Sequence, residues 1–268
     1  MYGIIIAFKN LKLGMKIEDA PWVGLLQFKR FFKDIYFGRL LKNTISISGL
    51  SLVFGFPAPI LLALLINEVK VSWFKRTIQT VTYMPHFISI VVVCSLVHNF
   101  FGAGGMFPEI LENFGGNGRS LLSQSEYFYA IYVGSGIWQG VGWGSIIYLA
   151  ALSGIDQEQY EAARIDGAGR IQQMIYITLP GLLPTVSMLL ILNMGSLLSV
   201  GYEKIMLLYD PTTYDVSDVI STYVYRKGLE GADYSYGTAI SIFNSVVNII
   251  FLLTANRISK KVGQSGLF

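Results

Sequence analysis

Cysteine is nearly missing from this chain: Cys94 is the single one among 268 residues. That excludes an intramolecular disulfide framework, and its place inside an apolar run suits a small packing residue. Charge is scarce too. Asp, Glu, Lys and Arg make up 14% of the residues, against about a quarter in soluble domains. The net charge of +3 is small and dispersed, which gives no basis for a nucleic-acid partner. No GxxxxGK(S/T) stretch occurs, so the chain lacks the loop whose backbone amides would cradle ATP phosphates. There is no HExxH and no clustered Cys/His spacing, so no metal site is expected. The two histidines, His86 and His98, read as hydrogen-bonded packing residues, and no catalytic dyad forms from sequence neighbours. No catalytic residue, cofactor or enzymatic activity is expected of this chain.

Apolar residues are abundant: 53% of the chain, including 17 Phe and 16 Tyr, with a mean hydropathy of +0.51. Aromatic belts at a membrane surface fit that composition. Five runs are candidate spans: Leu41–Ile66, Ile78–Phe101, Tyr127–Leu152, Leu182–Val200 and Thr238–Ala255. Apart from Lys42 at one edge, none contains Asp, Glu, Lys or Arg. A charge at mid-helix costs about 2.5–3.5 kcal/mol on insertion scales, so this avoidance is a strong membrane signal. The last two runs, 19 and 18 residues long, are near the lower limit of about 17 for spanning. The stretch 55–59, Gly-Phe-Pro-Ala-Pro, predicts a kink in the first run. Gly134, Gly136, Gly140, Gly142 and Gly144 stud the third, where small residues let helix backbones approach. The expected fold is an all-α polytopic membrane protein with five transmembrane helices.

Met1–Phe8 is too short to span and lacks the preceding charges of a signal peptide. From Lys9 to Leu40, seven basic residues mix with Phe28, Phe31, Phe32 and Ile35 at helical spacing. That pattern predicts an interfacial helix with snorkelling cations. The 201–237 segment is rich in Tyr (202, 209, 214, 223, 225, 234 and 236), residues suited to anchoring, to packing, or to stacking on sugars.

The polar, Gly-punctuated island Tyr160–Pro180 reads YEAARIDGAGRIQQMIYITLP. Asp156 and Gln159 stand three apart, as an N-cap residue and its capping-box partner would. Gln157–Arg164 is a run of helix formers. Gly167 and Gly169 permit positive φ and hence a turn, Arg170–Ile177 predicts a second short helix, and Pro180 marks a kink or fresh start. The expected product is a helix–turn–helix at the membrane surface.

The spacing EAA-x3-G-x9-I-x-LP over Glu161–Pro180 resembles the signature loop of the permease subunits of binding-protein-dependent ABC importers. Residues 37–268 are similar to the carbohydrate-uptake class of that family, and in particular to permeases for oligosaccharides released from polysaccharides. The matching stretches are FGFPAPILLALLINEVK (54–70), KRTIQTVTYMPHFIS (75–89), WQGVGWGSIIYLAALSGID (138–156) and FNSVVNIIFLLTANRISKK (243–261). The resemblance implies a multi-pass protein of a bacterial cytoplasmic membrane that moves oligosaccharides by alternating access. It implies no ATP hydrolysis in this chain. The implied partners are a second, homologous permease, a cytoplasmic ABC ATPase dimer and an extracytoplasmic sugar-binding lipoprotein. Glu161, Ala162, Ala163, Asp166, Gly167, Ile177, Leu179 and Pro180 would form the ATPase-coupling loop. Asn193, Tyr202 and Glu203 are candidates for the substrate path. The family norm is six helices, so the resemblance implies either a chain that begins near the end of the first, its N-terminus truncated, or a protein with five spans. The expected division is 1–38 as the remnant of that helix plus an interfacial segment, 39–257 as the transmembrane domain with its coupling loop at 153–181, and 258–268 as a cytoplasmic tail.

With the coupling loop inside, eight basic residues fall on the cytoplasmic side and four in the 102–126 and 201–237 loops outside, as the positive-inside rule prefers. The N-terminal segment, with eight more basic residues through Lys42, would also lie outside, against that rule. The competing functions are import of another solute such as a polyamine or amino acid, an intramembrane enzyme using His86 or His98, and a non-transporting scaffold subunit.

Overall fold

The computed structural model describes residues 2–261, so residues 262–268 of the expected tail lie outside the described residues. Among the described residues there is no strand, and the architecture is all-α. The chain runs through α1 (Tyr2–Ile6), α2 (Leu26–Phe32), α3 (Phe37–Leu50), α4 (Pro57–Glu68), α5 (Ser72–Tyr83), α6 (Ile90–Phe101), α7 (Met106–Asn113) and the 29-residue α8 (Ser125–Ser153). It continues through α9 (Gln157–Ile165), α10 (Arg170–Gln173), α11 (Leu179–Met194), α12 (Tyr202–Leu208), α13 (Tyr214–Ser217), α14 (Ile220–Val224) and α15 (Tyr234–Lys261).

By length and composition, four helical stretches among the described residues suffice to cross a membrane: Phe37–Glu68, Ile90–Asn113, Arg170–Met194 and Tyr234–Lys261. The remaining predicted run, Tyr127–Leu152, lies within α8, which is long enough but diluted by Gly, Ser and Gln. The run Ile78–Phe101 is divided in the structure between α5 and α6, with Pro85 in a tight turn at Met84–Phe87. A proline removes the amide that would continue the helix, and Ser89 starts the next by accepting from the Val92 amide.

Two other prolines are absorbed without a break. Wide π-type turns at Ser51–Gly55 and Met174–Thr178 immediately precede Pro57 and Pro180. Widening the turn spares the carbonyl that the proline ring would strike. The predicted fresh start at Pro180 is therefore a wide turn inside one continuous helix from Arg170 to Met194. Among the glycines of α8, Gly142 and Gly144 do meet other helices: a Cβ at Gly142 would overlap the Thr82 carbonyl of α5, and one at Gly144 would press on Pro59. Gly134 and Gly140 face nothing within 4 Å, so close packing does not explain them.

The chain forms two compact units. The first takes residues up to Ser51, Ser89–Ser135 and Ser196–Phe251. One of its cores gathers Ile47, Cys94, Phe128, Ile205 and Val219, another Phe31, Leu40, Ile220 and Tyr236. Cys94 is buried there as a packing residue. The N-terminal segment departs from the expected interfacial helix, since within Lys9–Leu40 only Leu26–Phe32 and the start of α3 at Phe37 are helical, with a break between them. Long-range bonds hold it instead. Arg30 pairs with Asp233 at 2.6 Å, the Leu11 amide donates to Ser235 Oγ at 2.9 Å, and Asp34 accepts from the hydroxyls of Tyr223 (2.5 Å) and Tyr236 (2.7 Å). Burial pushes the Asp34 pKa up, but these hydroxyls and the Tyr36 amide outweigh it and hold the carboxyl below its usual value. The segment is thus bonded directly to residues of 201–237.

The 201–237 segment is mostly helical rather than a loop. Asp218, fully buried, takes two bonds from Arg226 (2.8 and 2.7 Å), with Arg39 at 3.5 Å. Its tyrosines serve packing: Tyr223 and Tyr236 are buried, Tyr202 stacks on Tyr225 at 5.3 Å, and Tyr209 meets Tyr214 at 4.8 Å.

The second unit takes Leu52–Ile88, Gly136–Gly195 and the described residues from Leu252 to Lys261. Its core gathers Ala63, Tyr148, Leu152 and Leu182, and it carries the polar island.

Candidate functional site

The island is built by local chemistry. Asp156 caps α9 by accepting from the Glu158 amide at 3.0 Å, which satisfies one of the helix's free donors. The helix ends where the amides of Asp166, Gly167 and Ala168 fold back onto the carbonyls of Ala162, Arg164 and Ala163 at 3.0, 3.1 and 2.8 Å. Gly167 has φ +80°, a left-handed conformation that glycine adopts at low cost. Gly169 differs from expectation: with φ −71° it is the N-cap of α10, and its amide donates to Gln172 Oε1 at 2.8 Å. Tyr160 hydroxyl and Thr178 Oγ1 lie 3.0 Å apart, tying α9 to the wide turn.

This geometry brings the predicted coupling residues into one short structure. Glu161, Ala162, Asp166 and Gly167 are exposed, and Ala163 is half-buried. Ile177 is half-buried, and Leu179 and Pro180 are exposed at the start of α11. Motif spacing did not single out Ile165 and Ile171, which are 86% and 69% exposed. Their signal in the sequence was present but weak: isoleucine within an otherwise polar island.

The substrate-path candidates are not brought together in one unit. Tyr202 and Glu203 are exposed neighbours on the first turn of α12 in the first unit. Asn193 lies near the end of α11 in the second, its amide donating to the Leu189 carbonyl at 2.8 Å. The residue beside this pair, Lys204, is the unexpected one. It is 8% exposed, with its amine 2.8 Å from the Tyr132 carbonyl and 4.6 Å above the Tyr132 ring. Burial disfavours its charged form and lowers its pKa to about 8. Nothing in the run YEKIMLL announces a buried amine.

The histidines are engaged in packing. His86 stacks on Trp143 at 4.6 Å, and His98 Nε2 is 2.8 Å from the Leu207 carbonyl. No group of three His, Cys, Asp or Glu side chains fit to hold a metal occurs among the described residues.

Comparison with known proteins matches residues 55–264 to the family described as "Binding-protein-dependent transport system inner membrane component". Protein LplB of Bacillus subtilis is 45% identical over 100% of this chain and 85% of its own length. The polygalacturonan/rhamnogalacturonan transport system permease protein YteP of the same organism is 43% identical over 100% and 84%. A crystal structure of a bacterial ABC transporter involved in import of the acidic polysaccharide alginate superposes with a TM-score of 0.89, at 46% identity, over 97% of this chain and 88% of that one. The same kind of transporter has been solved in complex with an alginate pentasaccharide-bound periplasmic protein, and one chain of it superposes with a TM-score of 0.87, at 47% identity, over 91% and 85%. The chain belongs to the binding-protein-dependent transport system inner membrane components, as a multi-pass ABC-transporter permease of the cell membrane and not an enzyme.

Proposed function

We propose that this permease carries oligosaccharides inward by alternating access, within an assembly containing a second homologous permease, a cytoplasmic ABC ATPase dimer and an extracytoplasmic sugar-binding lipoprotein. The observation that carries the coupling part is the exposed helix–turn–helix at Gln157–Gln173, internally capped but leaving Glu161, Ile165 and Ile171 uncovered. In this reading the ATPase covers that surface, with Glu161 as the polar contact, Gly167 as the turn, and Ala162 and Ala163 allowing close approach. Asp166, Ile177, Leu179 and Pro180 hold the loop's shape. Nucleotide-driven closure then biases one of two arrangements of the helices, and substrate biases the same equilibrium.

Oligosaccharide as the cargo is supported by the identity of 43–47% to permeases and transporters named for pectic polysaccharides and alginate. Asn193, Tyr202 and Glu203 supply this subunit's half of the path. The domain division is residues 39–257 as the transporting body with 153–181 as its coupling loop, residues 1–38 as an outer accessory segment, and 258–268 as a cytoplasmic tail.

The test is uptake by proteoliposomes holding the complete complex and its binding protein. Uronate-containing oligosaccharides are expected to enter with ATP. Putrescine and histidine are expected to stay outside, and their uptake in place of the sugars would overturn the cargo.

A further inference from the structure

A cavity of about 350 Å³ opens in the second unit between the end of α4, the α4–α5 turn, α9 and α10. Its lining is polar and carries an unbalanced charge: Lys70, Arg164 and Arg170 against one carboxylate, Glu68. Among the described residues, none of these three cations is paired with a carboxylate. The arrangement follows from helix geometry. Tyr160 and Arg164 share a face of α9 at a spacing of four, and Arg170 and Gln173 share a face of α10 at a spacing of three.

Two further features point to an anion. Arg170 is the first residue of a 25-residue helix, where the macrodipole disfavours a cation and favours a bound anion. Lys70 lies just past the end of the candidate span Phe37–Glu68, and Arg170 begins another. Both therefore stand at the ends of candidate spans, and basic pockets between helices near such ends hold anionic lipid head groups. The Tyr160 hydroxyl, fixed by Thr178 at 3.0 Å, adds a neutral polar group.

We infer that this cavity is a phosphate-binding site, taking the phosphate of an anionic phospholipid head group or of a soluble phosphate. An occupant would bridge the end of α4 to the helices on both sides of Gly167, and so hold the island's orientation. This goes beyond the importer reading, and phosphate binding does not depend on the transported solute.

The test uses the purified full complex in nanodiscs of phosphatidylcholine, with or without phosphatidylglycerol, and native mass spectrometry to count retained lipid. A second arm adds inorganic phosphate to the phosphatidylcholine sample, against chloride at equal ionic strength, and reads the unfolding midpoint. Each cation removed is expected to weaken retention about fivefold. Lys70→Gln alone should therefore show about a fivefold loss, and the triple Lys70→Gln, Arg164→Gln, Arg170→Gln about a hundredfold loss. Lys75→Gln with Arg76→Gln, which do not line the cavity, should show none. Retained phosphatidylglycerol identifies a lipid source, and a midpoint raised by inorganic phosphate identifies a soluble one. Neither response, or an equal loss in the control pair, overturns the site. If the triple variant fails to assemble, Lys70→Gln in the turn outside α9 and α10 still decides. A complex that imports its solute yet binds no phosphate sinks this inference and leaves the importer reading standing; phosphate bound without uptake does the reverse.

Discussion

In the 201–237 segment Asp218 is fully buried and gripped by Arg226, with Arg39 at 3.5 Å. In the Tyr160–Pro180 island Glu161, Arg164, Asp166 and Arg170 are all exposed, and none of them is ion-paired among the described residues. The first region also buries Tyr223 and Tyr236, whereas the second leaves Ile165 and Ile171 in the open. Charges satisfied within the fold hold shape, because a buried group that loses its partner is costly. Charges and apolar side chains left over are available to something else. In the proposed function, the difference separates an architectural polar region from a contact region.

The sharpest way to break the comparison is Asp218→Ala. It strands Arg226 in a mostly buried site, and removing one partner of such a pair costs about 3–5 kcal/mol. The expected result is a large fall in the unfolding midpoint of the purified permease. Neutralising Arg164 in the island should leave that midpoint within about 0.5 kcal/mol of wild type, as surface changes usually do.

Lys204 sharpens it from another side. Its folded pKa of about 8 lies below the ordinary 10.5, so between those values the unfolded chain binds the extra proton and stability rises with pH. At about 1.4 kcal/mol per pKa unit, roughly 3 kcal/mol is the upper bound. Lys204→Met should abolish that rise and raise stability at neutral pH, read by unfolding midpoints from pH 7 to 10.5.

Next in size is Gly142→Val. The Cβ would overlap the Thr82 carbonyl, and overpacking of this kind costs about 2 kcal/mol. Gly140→Val, facing nothing within 4 Å, should cost far less in the same assay. Smallest is Tyr236→Phe. Loss of its hydroxyl from Asp34 should cost about 1 kcal/mol and loosen the N-terminal segment first, read by faster hydrogen exchange there.

What the sequence made legible was local. The cap at Asp156, the turn at Gly167 and the helix between them depend on neighbours a few residues away, so their spacing could be read directly. The charge-free runs announced an all-α membrane protein for the same reason. The long-range part was hidden. Asp34 meets Tyr223 and Tyr236 across 189 and 202 residues, and no local pattern in Lys9–Leu40 foretold that docking. The amphipathic spacing of Phe28, Phe31, Phe32 and Ile35 suggested an interfacial helix; in the fold Phe31 is buried and Ile35 is 85% exposed. The burial of Lys204 was hidden too, being a property of packing. Prolines were visible as breakers, but not that wide turns at Ser51–Gly55 and Met174–Thr178 would keep two helices whole.

The central claim is that the exposed island passes force to a partner rather than holding the fold. It is tested most directly by substrate-stimulated ATP hydrolysis in the reconstituted complex, comparing wild type with Glu161→Lys and Gly167→Asp. The account predicts that both variants assemble with the second permease, that Glu161→Lys unfolds near the wild-type midpoint and Gly167→Asp is destabilised by only about 1 kcal/mol for its left-handed φ, while stimulation and uptake fall at least about tenfold in both, a loss of about 1.4 kcal/mol of coupling. Stimulation and uptake at wild-type levels in both variants would make the island a mere connector and contradict the account.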